Sequence, residues 1–573
     1  MQGRNGARWF RRPLEGDTPS AARTLFLLLA AENLLINYTG TAMNVALSAL
    51  VGDLHTSLTG VQSAISLYAL VIASLIITGS KLGTRHGYRR TFSLGGGVFA
   101  LGALITAFAP RLPFMLLGWS VLQGLGVALM SPALMAMLTQ TFTGAVRTKA
   151  LSILVMTSGV GGASGPVLGG LITSFLTWRI SFLLGAGITL ALIWLVRRTV
   201  DSGAFPGRPG QRFDVRGVLL STTGLVLLVV AALLSGQYGL LRARQDFVVL
   251  GHTLLERGGL SPVPLLAGLG LAVLAAFAGW ELRLVRSGRD PLVRVAVLRN
   301  RTVRTGLSTQ LMLIVVPYGV LFLVPVFLQT ALGFGALRCG IVLLPIALGL
   351  MLAAPPTARR IGRGRMTHRA AAMGAFVLMG VGCAAVAVLF SPHAQGVAAV
   401  GLALAPGILI IGLGRGMATT LTDLVQSAPE RDEVSDVTGL FYTAGYLGSS
   451  FGVALAGALM TTALLYTFEA GVNDSSVLTT AQKEWVTRTV EQQVQITAVS
   501  DDALRAKMTS RGITGAEADG LVRINARARE QALTVSATGM ATLALFGWLM
   551  ALRLPVPAAT TGATGPGREA PSA

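Results

Sequence analysis

Charge is scarce in this sequence: of 573 residues only 12% are Asp, Glu, Lys or Arg, while 52% are hydrophobic. Soluble domains carry about twice that share of charge, so the scarcity excludes an ordinary globule and leaves a polytopic membrane protein. Cysteine is nearly absent. The two present, Cys339 and Cys383, both fall at or within apolar runs, which excludes a disulfide framework. Histidine is sparse as well, and His55, His86, His252, His368 and His393 are scattered over loops. No metal-ligand spacing, P-loop or nucleophile motif occurs, so the expectation is a non-enzyme without metal or cofactor, and transport driven by this chain's own ATPase is excluded. The formal charge of +21 does not point to nucleic acid, because the arginines cluster in short segments between apolar runs. That is the pattern of loops facing anionic lipid.

Apolar runs of spanning length lie near 25–48, 59–80, 92–109, 114–139, 150–172, 180–196, 217–236, 262–282, 303–328, 339–356, 370–390, 397–424, 437–466 and 532–552. An apolar stretch of that length reads as a membrane helix, because only internally hydrogen-bonded backbone survives in hydrocarbon. The basic N-terminus precedes a run with no A-x-A-like cleavage site, so that run reads as the first span. With the N-terminus inside, the inner segments hold 31 Lys and Arg, and the short outer loops hold only Arg111, Arg179, Arg242, Arg244, Arg257 and Arg338. This asymmetry predicts that both termini are cytoplasmic.

The loop Gly79–Arg90, G-S-K-L-G-T-R-H-G-Y-R-R, is echoed at Pro356–Arg369. The echo comes eight spans later and not six, so two spans, roughly 217–236 and 262–282, are inserted between two six-helix halves. Such internal repeats are what transporter folds are built from, with the substrate site at the midplane between them. The expected division is a cytoplasmic tail 1–24, a six-helix bundle 25–197, a linker with two inserted helices 198–285, a second six-helix bundle 286–553, and a disordered cytoplasmic tail 554–573. Within the second bundle, 467–531 is an extracellular helical loop. It is expected to hold a helix near 480–496 and a capping box from Thr514 to Glu517 that leads into the last span.

Gly161, Gly165 and Gly169 share one face of the fifth span, so a neighbouring helix can approach backbone to backbone. By itself this is a common packing seam. With Pro166 and Gly170 the string becomes G-x-x-x-G-P-x-x-G-G, followed by Trp178, Arg179 and Phe182, and it resembles the fifth-helix signature of the drug:proton antiporters of the major facilitator superfamily. The resemblance extends over nearly the whole chain. T-A-M-N-V-A-L (Thr41–Leu47) looks like the family's first-span motif. Leu82, Arg85, Gly87 and Arg89 match its loop motif, and Gln123, Gly124 and Gly126 match its fourth span. D-V-R-G (Asp214–Gly217), D-P-L (Asp290–Leu292) and V-F-L-Q (Val326–Gln329) look like the fourteen-span branch. The resemblance implies an all-α major facilitator fold with fourteen transmembrane helices (6+2+6) that exports drugs or natural products in exchange for protons.

Three departures bear on mechanism. The family's first-span aspartate is replaced by Thr39, its fourth-span arginine by Ser120, and its loop aspartate by Thr84. Neither Thr nor Ser titrates in the physiological range, which puts ordinary proton coupling through those positions in question. Glu32, nearly two turns before Thr39, is the candidate substitute. An intramembrane carboxyl is a functional candidate by default; its bland reading is a residue near the inner helix end that reaches water. Asn33, Asn37 and Asn44 form an adjoining polar stripe that must face protein or water. Arg415, in G-L-G-R-G-M, could pair with Glu32, pair with Asp423, or bind an anionic substrate group. Gln62, Tyr68, Gln123, Gln310, Tyr318 and Tyr442 are further candidates for the cavity, each with helix–helix hydrogen bonding as the alternative. Thr39, Ser120 and Asp423 complete the candidate set.

The partners expected are a small-molecule substrate, protons and membrane lipids, with no nucleic acid, for a monomer in a bacterial plasma membrane. Three functions remain open: a proton-coupled exporter of amphipathic molecules, an uncoupled transporter of lipid-like or anionic metabolites, and a non-transporting receptor or scaffold.

Overall fold

The computed structural model describes residues 20–142, 144–201, 203–207, 214–249, 252–389, 397–428, 433–475, 483, 505 and 516–555. Fourteen long helices follow one another: α1 Ser20–Ala42, α2 Leu58–His86, α3 Tyr88–Ala107, α4 Leu112–Thr141, α5 Gly144–Phe175, α6 Trp178–Thr199, α7 Val215–Tyr238, α8 Pro262–Arg286, α9 Arg301–Leu332, α10 Ala336–Gly362, α11 His368–Leu389, α12 Val397–Ala418, α13 Val434–Asn473 and α14 Ala516–Ala551. Thirteen are long and apolar enough throughout their described residues to cross a membrane. The fourteenth, α5, is 32 residues long. Every apolar run expected to span has its helix, and most helices run a turn or more beyond the run. The ends extend because their caps lie in polar sequence: Ser57, Asp214, Ser261 and Asn300 each accept a backbone N–H of the first turn. Gly87 (φ 93°) and Gly333 (φ 62°) end α2 and α9 with positive φ, which a side chain would strain.

The helices sort by packing into two sixes and a pair. In the first six, α1 lies on α5 and α6, α2 on α4, and α3 on α4 and α6. In the second, α9 lies on α13 and α14, α12 on α10 and α11, and α14 on α11 and α13. The halves meet along two seams, α2 with α13 and α5 with α10. The inserted helices α7 and α8 pack on each other, and α7 also on α2 and α13. Only 11% of the spanning window of α8 is buried, so it faces lipid. Between them is an unforeseen antiparallel ribbon, β1 Phe247–Val249 with β2 His252–Leu255. The D-V-R-G motif caps this insert: Asp214 accepts from Gly217 N–H at 3.0 Å and from the Trp280 indole of α8 at 3.0 Å.

Two spans break. A 3-10 turn, Met43–Val45, and a short helix, Leu47–Asp53, follow α1, and α12 stops at Ala418 before a short helix Leu421–Ser427. The segment expected as an extracellular loop at 467–531 is narrower than its bounds, since α13 runs to Asn473 and α14 begins at Ala516. The expected helix at 480–496, Thr514 of the capping box, residues 1–19 and residues 556–573 lie outside the described residues, apart from Lys483.

The glycine seam of α5 receives α1. A Cβ at Gly161 would meet the Leu34 carbonyl, and one at Gly169 would stand 2.9 Å from the Ala42 carbonyl. Without a hydrophobic force between helices in lipid, this close packing is what holds α1 to α5. Gly162, one position along, has nothing within 4 Å of its Cβ position. We expect Gly161→Ala to destabilise the folded protein by about 1–3 kcal/mol. Gly162→Ala should be neutral or stabilising by about 0.5–1 kcal/mol. Paired thermal melts in detergent, followed by tryptophan fluorescence, read the difference.

Candidate functional site

The space between the halves is bounded by the two seams, and polar side chains stitch both. Along α2 and α13, Gln62 donates to the Val453 and Ala454 carbonyls at 3.1 and 3.3 Å. Further along that seam, Ser450 donates to the Ser66 carbonyl at 2.8 Å and Thr443 to the Ala73 carbonyl at 3.1 Å. At its arginine-rich end Lys81 pairs with Asp436 at 3.3 Å, and Asp436 also accepts from Arg294 N–H. Along α5 and α10, Gly340 lies on the Pro166 carbonyl, and a Cβ at Gly170 would stand 2.6 Å from the Ala336 carbonyl. Close to that contact Gln329 of α9 donates to the Val45 carbonyl at 3.1 Å and accepts from the Ser48 hydroxyl at 2.7 Å. The α5 signature thus has two jobs: Gly161, Gly165 and Gly169 seat α1, while Pro166 and Gly170 seat the other half.

Helix α1 presents different chemistry on adjoining faces, because successive residues are about 100° apart. Asn33 donates to the Leu154 carbonyl at 2.9 Å and lies 2.7 Å from the Ser158 hydroxyl, both on α5. Asn37 donates to the Asn33 carbonyl at 2.7 Å. Both are half-buried, and Gly40 on the same side approaches Tyr68. Glu32 is on the other face, among the buried Leu25, Leu29, Ile36 and Met43, fully enclosed against α6. There the Thr189 hydroxyl donates to one carboxyl oxygen at 3.3 Å, and the second oxygen has no partner. Thr39 closes on its own helix through the Leu35 carbonyl at 2.9 Å. Asn44 is buried, with its carbonyl oxygen unpaired.

The middle of α4, Leu116–Gln123, is wound as a π-helix, a form that single-turn stretches adopt frequently at functional sites. Ser120 lies in it, fully buried, donating to the Ala64 carbonyl of α2 at 2.8 Å. Gln123 is buried with its side-chain oxygen unpaired. Trp119 stacks on Tyr68 with ring centroids 5.5 Å apart. From the other half, Gln310 of α9 lies against Gly445 of α13. Tyr318 of α9 and Tyr442 of α13 are half-buried. Tyr446, one turn after Tyr442, neighbours Tyr318, Tyr68 and Ser131.

The charged residues are not paired as expected. Glu32 turns to α6, so it does not meet Arg415. Asp423 is on the short helix past the end of α12, exposed and near His368, so it does not meet Arg415 either. The chain break at Thr419–Thr420 is what separates them. In the loop motif Gly87 supplies the positive-φ turn, Arg89 donates to the Arg197 carbonyl at 2.9 Å, and Arg85 is exposed. Thr84 bonds back to the Ser80 carbonyl at 3.1 Å, and Lys81, three residues earlier, makes the inter-half ion pair. Lys81, Asp436, Ser450, Trp119 and Tyr446 were not singled out from sequence, and Gln329 only as the last residue of the V-F-L-Q motif. The signal that could have found Lys81 is its rarity, as the one lysine among the helix-end cations of the first repeat loop.

Two six-helix halves joined along two seams around an aromatic and polar midsection define a membrane transporter of the two-bundle kind. The profile of the Major Facilitator Superfamily matches residues 33–453, and the chain belongs to that family. It is 30% identical to a protein described as a probable actinorhodin transporter of Streptomyces coelicolor, across 80% of this chain and 76% of that one. It is also 30% identical to the cephamycin export protein CmcT of Amycolatopsis lactamdurans, across 76% and 84%. The multidrug efflux pump LfrA of Mycolicibacterium smegmatis is 26% identical across 78% and 82%. Among solved structures, an inward-facing bacterial homolog of the human lysosomal transporter Spinster superposes with a TM-score of 0.59, covering 95% of this chain and all of that one at 14% identity. The protein is therefore a multi-pass transporter of a bacterial plasma membrane and not an enzyme.

The Lys81–Asp436 pair joins the halves at one end, and Asp436 is nearly buried. Removing one partner of such a pair leaves a poorly compensated charge. We expect Lys81→Met to part the two helix ends, moving the distance distribution between spin labels at residues 85 and 433 to longer values. An unchanged distribution would show that the hydrogen bonds further along the α2–α13 seam hold this end closed without the ion pair.

Proposed function

We propose that this protein is a secondary active exporter of amphipathic small molecules that works by alternating access and takes protons inward through Glu32. The two bundles, 25–197 and 286–553, rock about the α2–α13 and α5–α10 seams as a monomer. Both termini are cytoplasmic, because the arginine-rich loops sit at one end and few cations at the other. The relatives named for export of actinorhodin, cephamycin and multiple drugs support an outward direction and a drug-like cargo.

The observation that carries proton coupling is the setting of Glu32. An isolated carboxylate is costly to bury, whereas the protonated acid is tolerated. Glu32 is enclosed with a single hydroxyl partner and no cation among the described residues. Any movement of α1 against α6 that admits water changes the balance between the two forms. Cargo and proton then act on different faces of one helix: the Asn33, Asn37 and Gly40 side turns to the central space, and the Glu32 side to α6. Thr39 and Ser120, both tied to backbone carbonyls, take no part in the relay.

A second reading, transport without proton coupling, is favoured by the missing first-span aspartate and fourth-span arginine. Dye uptake into inverted vesicles separates the two. Under an imposed pH gradient we expect the native protein to accumulate a lipophilic dye, and Glu32→Gln to lose accumulation by about tenfold or more while keeping exchange without a gradient. Equal accumulation by both would support the uncoupled reading. No flux of any compound would leave a receptor or scaffold.

A further inference from the structure

Helix α12 lies between α10 and α11, with Gly412 and Gly416 against Ile346 and Leu350 and Gly414 against Ala375. Its remaining two sides differ. Leu402 is 76% exposed on the side facing lipid. Leu404, Ile408 and Ile411 are buried on the opposite side, and Arg415 continues that row at helical spacing, i, i+4, i+7, i+11. The guanidinium therefore faces the interior, where it is half-buried and lies within electrostatic reach of the Tyr318 hydroxyl. It has no carboxylate or hydrogen-bond partner among the described residues.

Each acidic group that could have neutralised it is engaged elsewhere. Glu32 faces Thr189, Asp436 pairs with Lys81, Glu281 accepts from Val293 N–H beside Asp214, and Asp423 is exposed beyond the helix end. A guanidinium inside the membrane span with five N–H donors and no internal acceptor is a binding site for an anionic group. Its surroundings specify the rest of the ligand. Tyr318 of α9 neighbours Tyr446, which follows Tyr442 by one turn on α13, and all three are half-buried, so their rings make an aromatic wall beside the charge, while Tyr68 and Trp119, stacked on each other, are buried in the first half. Aromatic faces of this kind take planar rings by offset stacking.

We infer that Arg415 and this aromatic wall form the cargo site, and that the preferred cargo is an amphipathic aromatic acid. Its carboxylate or ionised phenol is held by Arg415, and its planar body lies on Tyr318, Tyr442 and Tyr446. These rings stand on α9 and α13, so a bound acid ties α12 to both helices. This inference rests on the export reading for its cargo role, while the binding geometry stands independently of flux.

The test uses two xanthene dyes of one planar scaffold and opposite charge, anionic carboxyfluorescein and a cationic rhodamine ester, with the full-length protein in nanodiscs. Binding is read by fluorescence anisotropy. The native protein should bind the anion at least about tenfold more tightly than the cation. Arg415→Gln should abolish that preference, and Arg415→Lys should keep part of it. Equal binding of the two dyes, binding of neither, or a preference unchanged in Arg415→Gln would overturn the inference. If Arg415→Gln does not fold, the comparison of the two dyes on the native protein decides alone. Flux of the same dyes into inverted vesicles is read separately. Cation flux without anion preference removes the inference and keeps the exporter. Arg415-dependent anion binding without flux of either dye keeps the site and removes the exporter.

Discussion

Hydrocarbon supplies no water to satisfy a backbone and no hydrophobic force to pull two helices together. Everything that holds this molecule in one arrangement must therefore come from close backbone approach and from a small number of polar contacts between helices. The α5 string concentrates the first kind. Three of its glycines let α1 settle on its backbone, and Gly170 with the Pro166 carbonyl does the same for α10. The α2–α13 seam is made of the second kind, with serine, threonine and glutamine side chains donating to carbonyls of the opposite half. Such bonds are worth about 1–2 kcal/mol each at most in membranes. Two halves joined by a few of them can part and rejoin, which a dry jigsaw core would forbid.

The fold was legible because its signals are one-dimensional. Span length, apolar composition, the arginine loops and the displaced echo of the second-to-third loop are all read along the chain, and they yield fourteen helices in a 6+2+6 arrangement. The ribbon at 247–255 was not legible, since strands of three and four residues carry too little periodicity to stand out between two apolar runs. Helix ends were misjudged for a related reason: hydropathy marks the membrane-buried portion, while capping groups such as Ser57 and Asn300 sit outside it.

Side-chain direction was the harder quantity. Glu32 and Asn33 are neighbours in sequence, and the 100° between them turns the carboxyl to α6 while the adjoining asparagine turns to α5. Two of the three roles open to Arg415 paired it with an acid, because burial of an unpaired charge is costly. Neither candidate acid can reach it, since Glu32 turns to α6 and Asp423 follows a break in α12 that the apolar run 397–424 conceals. The loop motif shows the opposite case. Its aspartate is gone at Thr84, yet an ionic contact between the halves persists one turn earlier through Lys81, so the constraint was kept while the residue carrying it moved.

The same displacement explains the midsection. The family pattern puts an acid in the first span and an arginine in the fourth, both in the first half, and this chain has lost both to Thr39 and Ser120. The charge of the central space is instead carried by Arg415, in the second half, and the remaining acid, Glu32, is set off the axis behind α1. On the proposed reading, a proton at Glu32 and an anionic cargo at Arg415 would not share a residue. What would link them is α1, a helix whose one face is fixed to α5 by glycines and asparagines and whose other face encloses the carboxyl. On that reading, coupling would then be a property of how one helix packs.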